Sequence, residues 1–274
     1  MNTSTKAINQ AVALLGAMAI LWYSLSLIPF TKEAKWTKLH REKEEKIGDW
    51  MLSNITQGLD SILSLKLDSI THVLLDDLLI HNSSLRSKVK VHLIHSDEIN
   101  AFALPGDHIV VFSGILKKMD SVDQYAGVLS HELAHLQESH ILKRVSREIG
   151  ISILIGMVTG SGSGGVQQIA GELSSLAFSR KEEKEADLIG AEMMIRAGIN
   201  PKALGELMQK IEDLSDSNLD LEWLSSHPAG KERAEYLSAY QLPSDFKEDI
   251  KMERASWQLC QDALSENLNE LGDL

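Results

Sequence analysis

The chain has 274 residues, 43% of them hydrophobic and 24% charged, enough to bury one substantial core, and we expect one catalytic domain plus an anchor. The net charge of -12, with no basic stripe, excludes nucleic acid as a partner. The single cysteine, Cys260, excludes an intrachain disulfide and a cysteine-based zinc cluster, and reads as a small apolar residue on a C-terminal helix.

No charge lies between Lys6 and Lys32, and Ala7 to Phe30 is apolar apart from Asn9, Gln10, Ser24 and Ser26. About twenty such residues cross a bilayer core of roughly 30 Å, and Trp22 with Tyr23 suit an interface. Residues 1–31 therefore read as a single-pass membrane anchor and 32–274 as the domain it carries. A cleaved signal peptide is the rival, but no small-x-small site follows the apolar run. Lys6 alone precedes the segment, whereas Lys32, Lys35, Lys38, Arg41, Lys43 and Lys46 follow it, which by the positive-inside rule puts the domain in the cytoplasm.

From Glu44 to Ile80 apolar residues recur at helical spacing: Ile47, Trp50, Met51, Ile55, Leu59, Ile62 and Leu63, then Ile70, Val73, Leu74 and Leu78. Two or three helices covering the core are expected, with Asp68, Asp76 and Asp77 on a solvated face. At Lys88 the period changes. Val89, Val91 and Leu93 alternate with Lys88, Lys90 and His92 as a half-buried strand, Ile99 to Leu104 forms a second, Pro105-Gly106-Asp107 turns, and His108 to Phe112 is a third. The stretch Asn100, Ala101, Phe102 either holds an extended peptide substrate along its backbone edge or is a plain structural hairpin. Ser113-Gly114 ends the sheet and a short helix follows.

Ser121-Val122-Asp123-Gln124 has the form of a capping box, so a helix starts near Val122 and is expected to run past Lys143. Two turns in, it carries His131-Glu132-Leu133-Ala134-His135. Positions four apart share a helix face, so His131 and His135 can offer two imidazole nitrogens to one metal ion. Glu132 then sits beside the metal, where a general base takes a proton from water. Chance could place these residues on one helix, but Val128, Leu129, Leu133, Ala134 and Leu136 make the surroundings apolar, and burying imidazoles there costs free energy unless something binds them. Ile151 to Val158 is too short to cross a membrane. The glycine-rich stretch Gly160 to Gly165 lacks a phosphate-loop lysine and a preceding strand; it reads as a mobile lid or a flexible connector.

A catalytic zinc site takes three protein ligands and keeps one position for water. His140 is one residue out of place for the third-histidine form of the motif and reads as a packing or hydrogen-bonding histidine. A better source is the helix Ser179 to Gly190, where Glu183 and Asp187 are four apart and face one way. One carboxylate can bind the metal while the other accepts the N–H of a metal-bound imidazole. On spacing alone Glu182, Glu183 and Glu185 are not separable.

His131-Glu132-x-x-His135, with Ser179-Arg180-x-x-Glu183-x-Glu185-Ala186-Asp187-x-x-Gly190 about fifty residues on, resembles the HtpX-like and Oma-like zinc metallopeptidases, family forty-eight of the metallopeptidases. The likeness takes in Asn100-Ala101-Phe102, Ser113-Gly114 and Ser226-His227-Pro228, roughly Val89 to Leu237. It implies that His131, His135 and Glu183 bind one Zn2+, that Glu132 is the catalytic base, and that Asp187 supports the site from behind. It further implies an endopeptidase of membrane or envelope protein quality control, with an extracytoplasmic (periplasmic) catalytic domain, against the lysine count. Two departures stand out: one membrane segment instead of several, and too little chain after Ser238 for the helical-repeat domain of some relatives.

Asn200-Pro201 opens a helix through Leu214, and Ser226-His227-Pro228 caps another that holds Lys231, Glu232 and Arg233. By resemblance His227 lies at the cleft as a further catalytic residue, steadying the oxyanion or filling the open metal position at rest; Arg233 reads as a structural ion pair. Phe246 to Leu271 is expected as a final amphipathic helix. The expected fold is α+β and zincin-like, mostly helical with a small β-sheet beside the H-E-x-x-H helix. The expected partners are protein or peptide substrates bound in extended form, and the membrane. The alternative function is a non-proteolytic scaffold stapled by zinc.

Overall fold

Among the described residues, glycine, a left-handed serine and three capping serines mark where helices stop and start. The computed structural model describes residues 41–81, 85, 88–148, 177–214, 222–228, 230–249, 257–262 and 264. The expected anchor, the apolar run from Ile151 and the glycine-rich stretch lie outside them. Among the described residues no helix is long and apolar enough to cross a membrane.

Helices α1 (Arg41–Ile55) and α2 (Leu65–Leu78) come first. The link between them differs from the helical stripe expected there. Gly58, at a φ of 80°, ends the first helical run, and Ser61 then bridges Ile94 as Ile62 N donates to Leu93 O at 2.8 Å. The link thus extends the sheet edge. Ile62 is buried, but Leu63, placed in the same stripe by its spacing, is 87% exposed.

The sheet comprises β1 (Lys90–Ile94), β2 (Ala101–Leu104) and β3 (His108–Phe112) in the order β1-β3-β2. β3 is central and wholly buried, pairing in parallel with β1 and antiparallel with β2. That leaves β2 on an edge. The turn between β2 and β3 uses two left-handed residues, Gly106 and Asp107. Gly48 of α1 lies so close to it that a Cβ there would fall 1.8 Å from Pro105 O.

After α3 (Ser113–Leu116) comes α4 (Val122–Gln137), capped by Ser121, whose side chain accepts from Gln124 N. The reciprocal half of the expected box is redirected, because Gln124 Oε1 accepts from Asp120 N. The helix also stops earlier than its pattern suggests: Ser139 adopts a φ of 53° and α5 (His140–Glu148) restarts on a new axis.

Then follow α6 (Arg180–Arg196), α7 (Lys202–Asp213), α8 (Glu222–Ser226) and α9 (Gly230–Ser238). α9 starts two residues beyond Pro228, so that proline is not its first residue. Two glycines let helices close on α4: a Cβ on Gly127 would meet Leu204 of α7 at 2.8 Å, and one on Gly190 of α6 would meet the Ser130 carbonyl carbon at 3.1 Å and His131 N at 3.2 Å. The expected last helix begins later than Phe246. Residues 246–249 are non-helical, held where Asp249 N donates to Gly198 O at 2.8 Å, and helix is present over 257–262. There Trp257 Nε1 donates to Met119 O, and its ring stacks on Tyr125 of α4.

Candidate active site

Two capped helices deliver the central residues. On α4, His131, Glu132 and His135 are fully buried. On α6, Ser179 and Glu182 form a reciprocal capping box: Glu182 N donates to Ser179 Oγ at 3.3 Å, and Ser179 N donates back to Glu182 Oε2 at 3.0 Å. Glu182 also accepts from Arg147 at 2.7 Å, which commits its carboxylate to the helix end. Glu185 is 44% exposed in its side chain. Glu183 alone of the three turns inward, 1% exposed, with Asp187 one turn behind it at 0%. Packing thereby separates three acids that spacing leaves equivalent.

The polar ends converge. His131 Nε2 and His135 Nε2 are 3.0 Å apart, and Glu183 Oε1 is 3.4 Å from His135 Nε2. Glu183 Oε2 lies 3.6 Å from His131 Nε2. His227, carried by the turn after α8 and buried, brings Nδ1 to 3.2 Å from His131 Nε2 and 3.0 Å from Glu183 Oε1. One ligand atom from each of these four residues fits within a span of 4.8 Å. Donors about 2.0–2.1 Å from a tetrahedral zinc ion stand roughly 3.3 Å from each other.

Behind this cluster, His131 Nδ1–H donates to Asp187 Oδ1 at 3.0 Å, the backing that holds an imidazole in one tautomer. Arg233 of α9 grips the same carboxylate with both prongs, NH2 to Oδ1 at 2.7 Å and Nε to Oδ2 at 2.8 Å. It also pairs closely with Glu183 Oε2, and donates to His227 O at 3.3 Å. The ion pair expected for Arg233 therefore lies inside the site. Tyr236, which sequence reasoning did not single out, donates its hydroxyl to Asp187 Oδ2 one helical turn from Arg233. Phe178 was also missed; its ring lies 4.0 Å from that of His135 and 5.3 Å from that of His227, with the Arg144 guanidinium 4.2 Å away on it. The spacing Arg233-x-x-Tyr236 could have flagged the tyrosine. A phenylalanine just before a capping serine carries no such signal.

Burial opposes ionisation of Glu183, but the charges of His227 and Arg233 outweigh it and hold the carboxyl well below the usual carboxylate range. Asp187 is likewise lowered, mainly by Arg233 against burial. His135 is pushed well down by burial, which keeps its ring neutral and its lone pair available. For His131, burial and Arg233 act downward, and the hydrogen bond to Asp187 with the charges of Glu183 and Asp187 raises it overall. Burial pushes Glu132 up, partly offset by His227 and His131. A carboxyl moved toward neutrality suits proton transfer.

These donors fit a divalent cation. Imidazole nitrogens and a carboxylate oxygen, the donor types that zinc takes, converge in a region closed to solvent. Glu132 Oε1 and His227 Nε2 face each other at 3.6 Å, too far for a hydrogen bond. Buried polar atoms in that state need a ligand, an ion or water.

Of the expected substrate-binding residues, Asn100, Ala101 and Phe102 lie at or just before the edge strand β2, and all three are buried. Asn100 Nδ2 donates to Glu98 Oε1 at 2.7 Å, while its Oδ1 has no partner. The Ala103 amide of β2 lowers the Glu132 carboxyl, which ties the strand to the acid on α4.

Comparison with known proteins gives a consistent picture. The model described as Peptidase family M48 matches residues 65–241. The beta-barrel assembly-enhancing protease of Escherichia coli (strain K12) is 28% identical over 207 residues, covering 70% of this chain and 42% of that protein. The mitochondrial metalloendopeptidase OMA1 of Schizosaccharomyces pombe is 33% identical over 156 residues, 53% of this chain and 44% of that one. The protein of the same name from Saccharomyces cerevisiae is 28% identical over 259 residues, 86% and 75% respectively. The chain thus spans less than half the length of the bacterial relatives it matches.

Proposed function

Since the chain belongs to Peptidase family M48, a family of zinc metallopeptidases, we propose that it is a zinc-dependent endopeptidase with a zincin-like active site. His131, His135 and Glu183 would hold the ion, and Asp187, fixed by Arg233, would orient His131. The carrying observation is the convergence of those ligand atoms beside the buried carboxyl of Glu132.

Zinc, when bound, supplies a Lewis acid that lowers the pKa of water and polarises the peptide carbonyl. Glu132 takes the proton of the attacking water and later delivers it to the leaving amine. Asn100, Ala101 and Phe102 hold the substrate in extended form, by strand addition at the edge of β2. Residues 1–31 anchor the domain of residues 32–274 to a membrane, with the catalytic side extracytoplasmic. Membrane or envelope protein quality control is the role we assign; one relative is named for enhancing beta-barrel assembly and another as a mitochondrial metalloendopeptidase.

One observation favours a second reading. His227 Nδ1 occupies the place of a fourth donor, and four protein ligands are the mark of a structural zinc site. In the scaffold reading His227 stays there and the metal staples α4, α6 and the turn after α8. In the peptidase reading His227 holds that place only at rest and yields it to substrate, where it steadies the oxyanion. The purified full chain should degrade casein, lose that activity with a chelator and recover it with zinc. Glu132→Gln should retain stoichiometric zinc and lose cleavage. Casein left intact by a zinc-loaded wild type decides for the scaffold; cleavage by Glu132→Gln removes Glu132 as the base.

A further inference from the structure

His140 is 2% exposed and takes no part in the chemistry above. The left-handed Ser139 folds the chain back, so that His140 at the start of α5 returns over His135 instead of continuing the spiral of α4. Its Nδ1 is 3.1 Å from His135 Nδ1, with the two rings edge-on at 72°. Its Nε2 lies 3.6 Å from Glu185 Oε2. On the opposite side of the His135 ring, Nε2 faces His131 Nε2 at 3.0 Å and Glu183 Oε1 at 3.4 Å.

These contacts fix where the protons go. A ring nitrogen whose lone pair points at a metal carries no hydrogen, so neutral His135 has its proton on Nδ1. That N–H meets His140 Nδ1, which must be the acceptor. The one proton of neutral His140 is then on Nε2, on the side of Glu185. The reverse polarity would put the His135 proton on Nε2, aimed into the cluster of donors.

We propose that His140, with the Glu185 carboxylate facing its Nε2, acts as a relay that sets the tautomer and ring orientation of His135 through the His135–His140 hydrogen bond, making His140 a positioning residue for the metal. This rests on the reading of the cluster as a zinc site. His140 does for His135 what Asp187 does for His131 at 3.0 Å. The two carboxylates that face this backing, Glu185 and Asp187, both come from α6, the helix that supplies Glu183. The 3.6 Å separation is too long for a direct hydrogen bond, and Glu185 is 44% exposed in its side chain, so its share is the smaller one.

The test is zinc affinity of the full chain, measured by competition with a chromophoric chelator. Loss of a residue that backs a metal-binding histidine typically weakens binding about 10–100-fold. His140→Leu fills the space without an acceptor and should fall in that range. His140→Asn places an amide oxygen near the lost Nδ1 and should recover to within roughly threefold of wild type. In the wild-type zinc-loaded chain, ring nitrogen NMR shifts should show His135 protonated on Nδ1 and His140 on Nε2, a readout that needs no variant to fold. Wild-type affinity in His140→Leu, equal loss in the Asn and Leu variants, or a proton on His140 Nδ1 overturns the relay while leaving the zinc site standing. A wild-type chain that takes up no zinc overturns the metal reading itself.

Discussion

Arg233→Met removes the guanidinium that touches both Glu183 and Asp187. Arg233 is 3% exposed and holds Asp187 at 2.7 and 2.8 Å, so the variant leaves two carboxylates in a solvent-free region with imidazoles and the Tyr236 hydroxyl as their partners. Breaking a buried ion pair from one side costs about 3–5 kcal/mol, because the remaining charge keeps its desolvation penalty. The two carboxylates share one guanidinium, so their losses do not add, and about 4 kcal/mol is the expected total. For a domain of this size that corresponds to a fall of roughly 8–16 °C in midpoint. Zinc should shrink the difference, since the ion supplies positive charge to Glu183 in place of the guanidinium. Circular dichroism melts of metal-free and zinc-loaded protein measure both quantities. Arg233→Lys, which keeps the charge but loses the two-pronged grip, should fall between. If the metal-free Met variant melts within about 2 °C of wild type, the charge argument for this site is wrong.

Three further outcomes are expected. Tyr236→Phe removes one donor from Asp187 and should cost about 1–2 kcal/mol of stability in chemical denaturation, with a several-fold drop in zinc affinity. Gly190→Val forces a side chain into the Ser130 and His131 backbone, where even a Cβ would sit at 3.1–3.2 Å; it should push α6 off α4 and abolish zinc uptake, which elemental analysis would detect. His92 and His108 lie 2.9 Å apart on β1 and β3, and burial first, then neighbouring positive charge, lowers both, His92 from 6.5 to about 4. The unfolded chain takes up protons below about 6.5 that the folded pair refuses, so their contribution is full above that pH and is lost on acidification toward 4. Urea midpoints should therefore fall between pH 7 and 5, and a flat profile would contradict the assignment.

Much of the site was legible in the sequence because helical geometry is local. His131 and His135, four apart, and Glu183 and Asp187, four apart, were bound to share faces wherever their helices packed, and Ser121 and Ser179 mark both starts. The β2–β3 hairpin was legible for the same reason, since alternation and Pro105-Gly106-Asp107 act over neighbouring residues. The period failed where distant backbone intervened. Leu63 matches a helical stripe, but sheet bonding by Ser61 and Ile62 turns it out to solvent. α4 breaks at Ser139 because one left-handed residue, which no period encodes, redirects the chain.

The sequence by itself determined the residue types: two imidazoles and a carboxylate on one helix, acids at a fixed interval on another, and a single cysteine, too few for a cysteine-based zinc cluster. Only the tertiary structure decided among Glu182, Glu183 and Glu185, by spending the first on a helix cap and leaving the third half exposed. Tertiary contact also brought His227 to the fourth position and set Arg233 and Tyr236 on Asp187, 46 and 49 residues away in the chain. Backbone geometry carries information over a few residues, whereas which charges share a solvent-free volume depends on how whole helices meet.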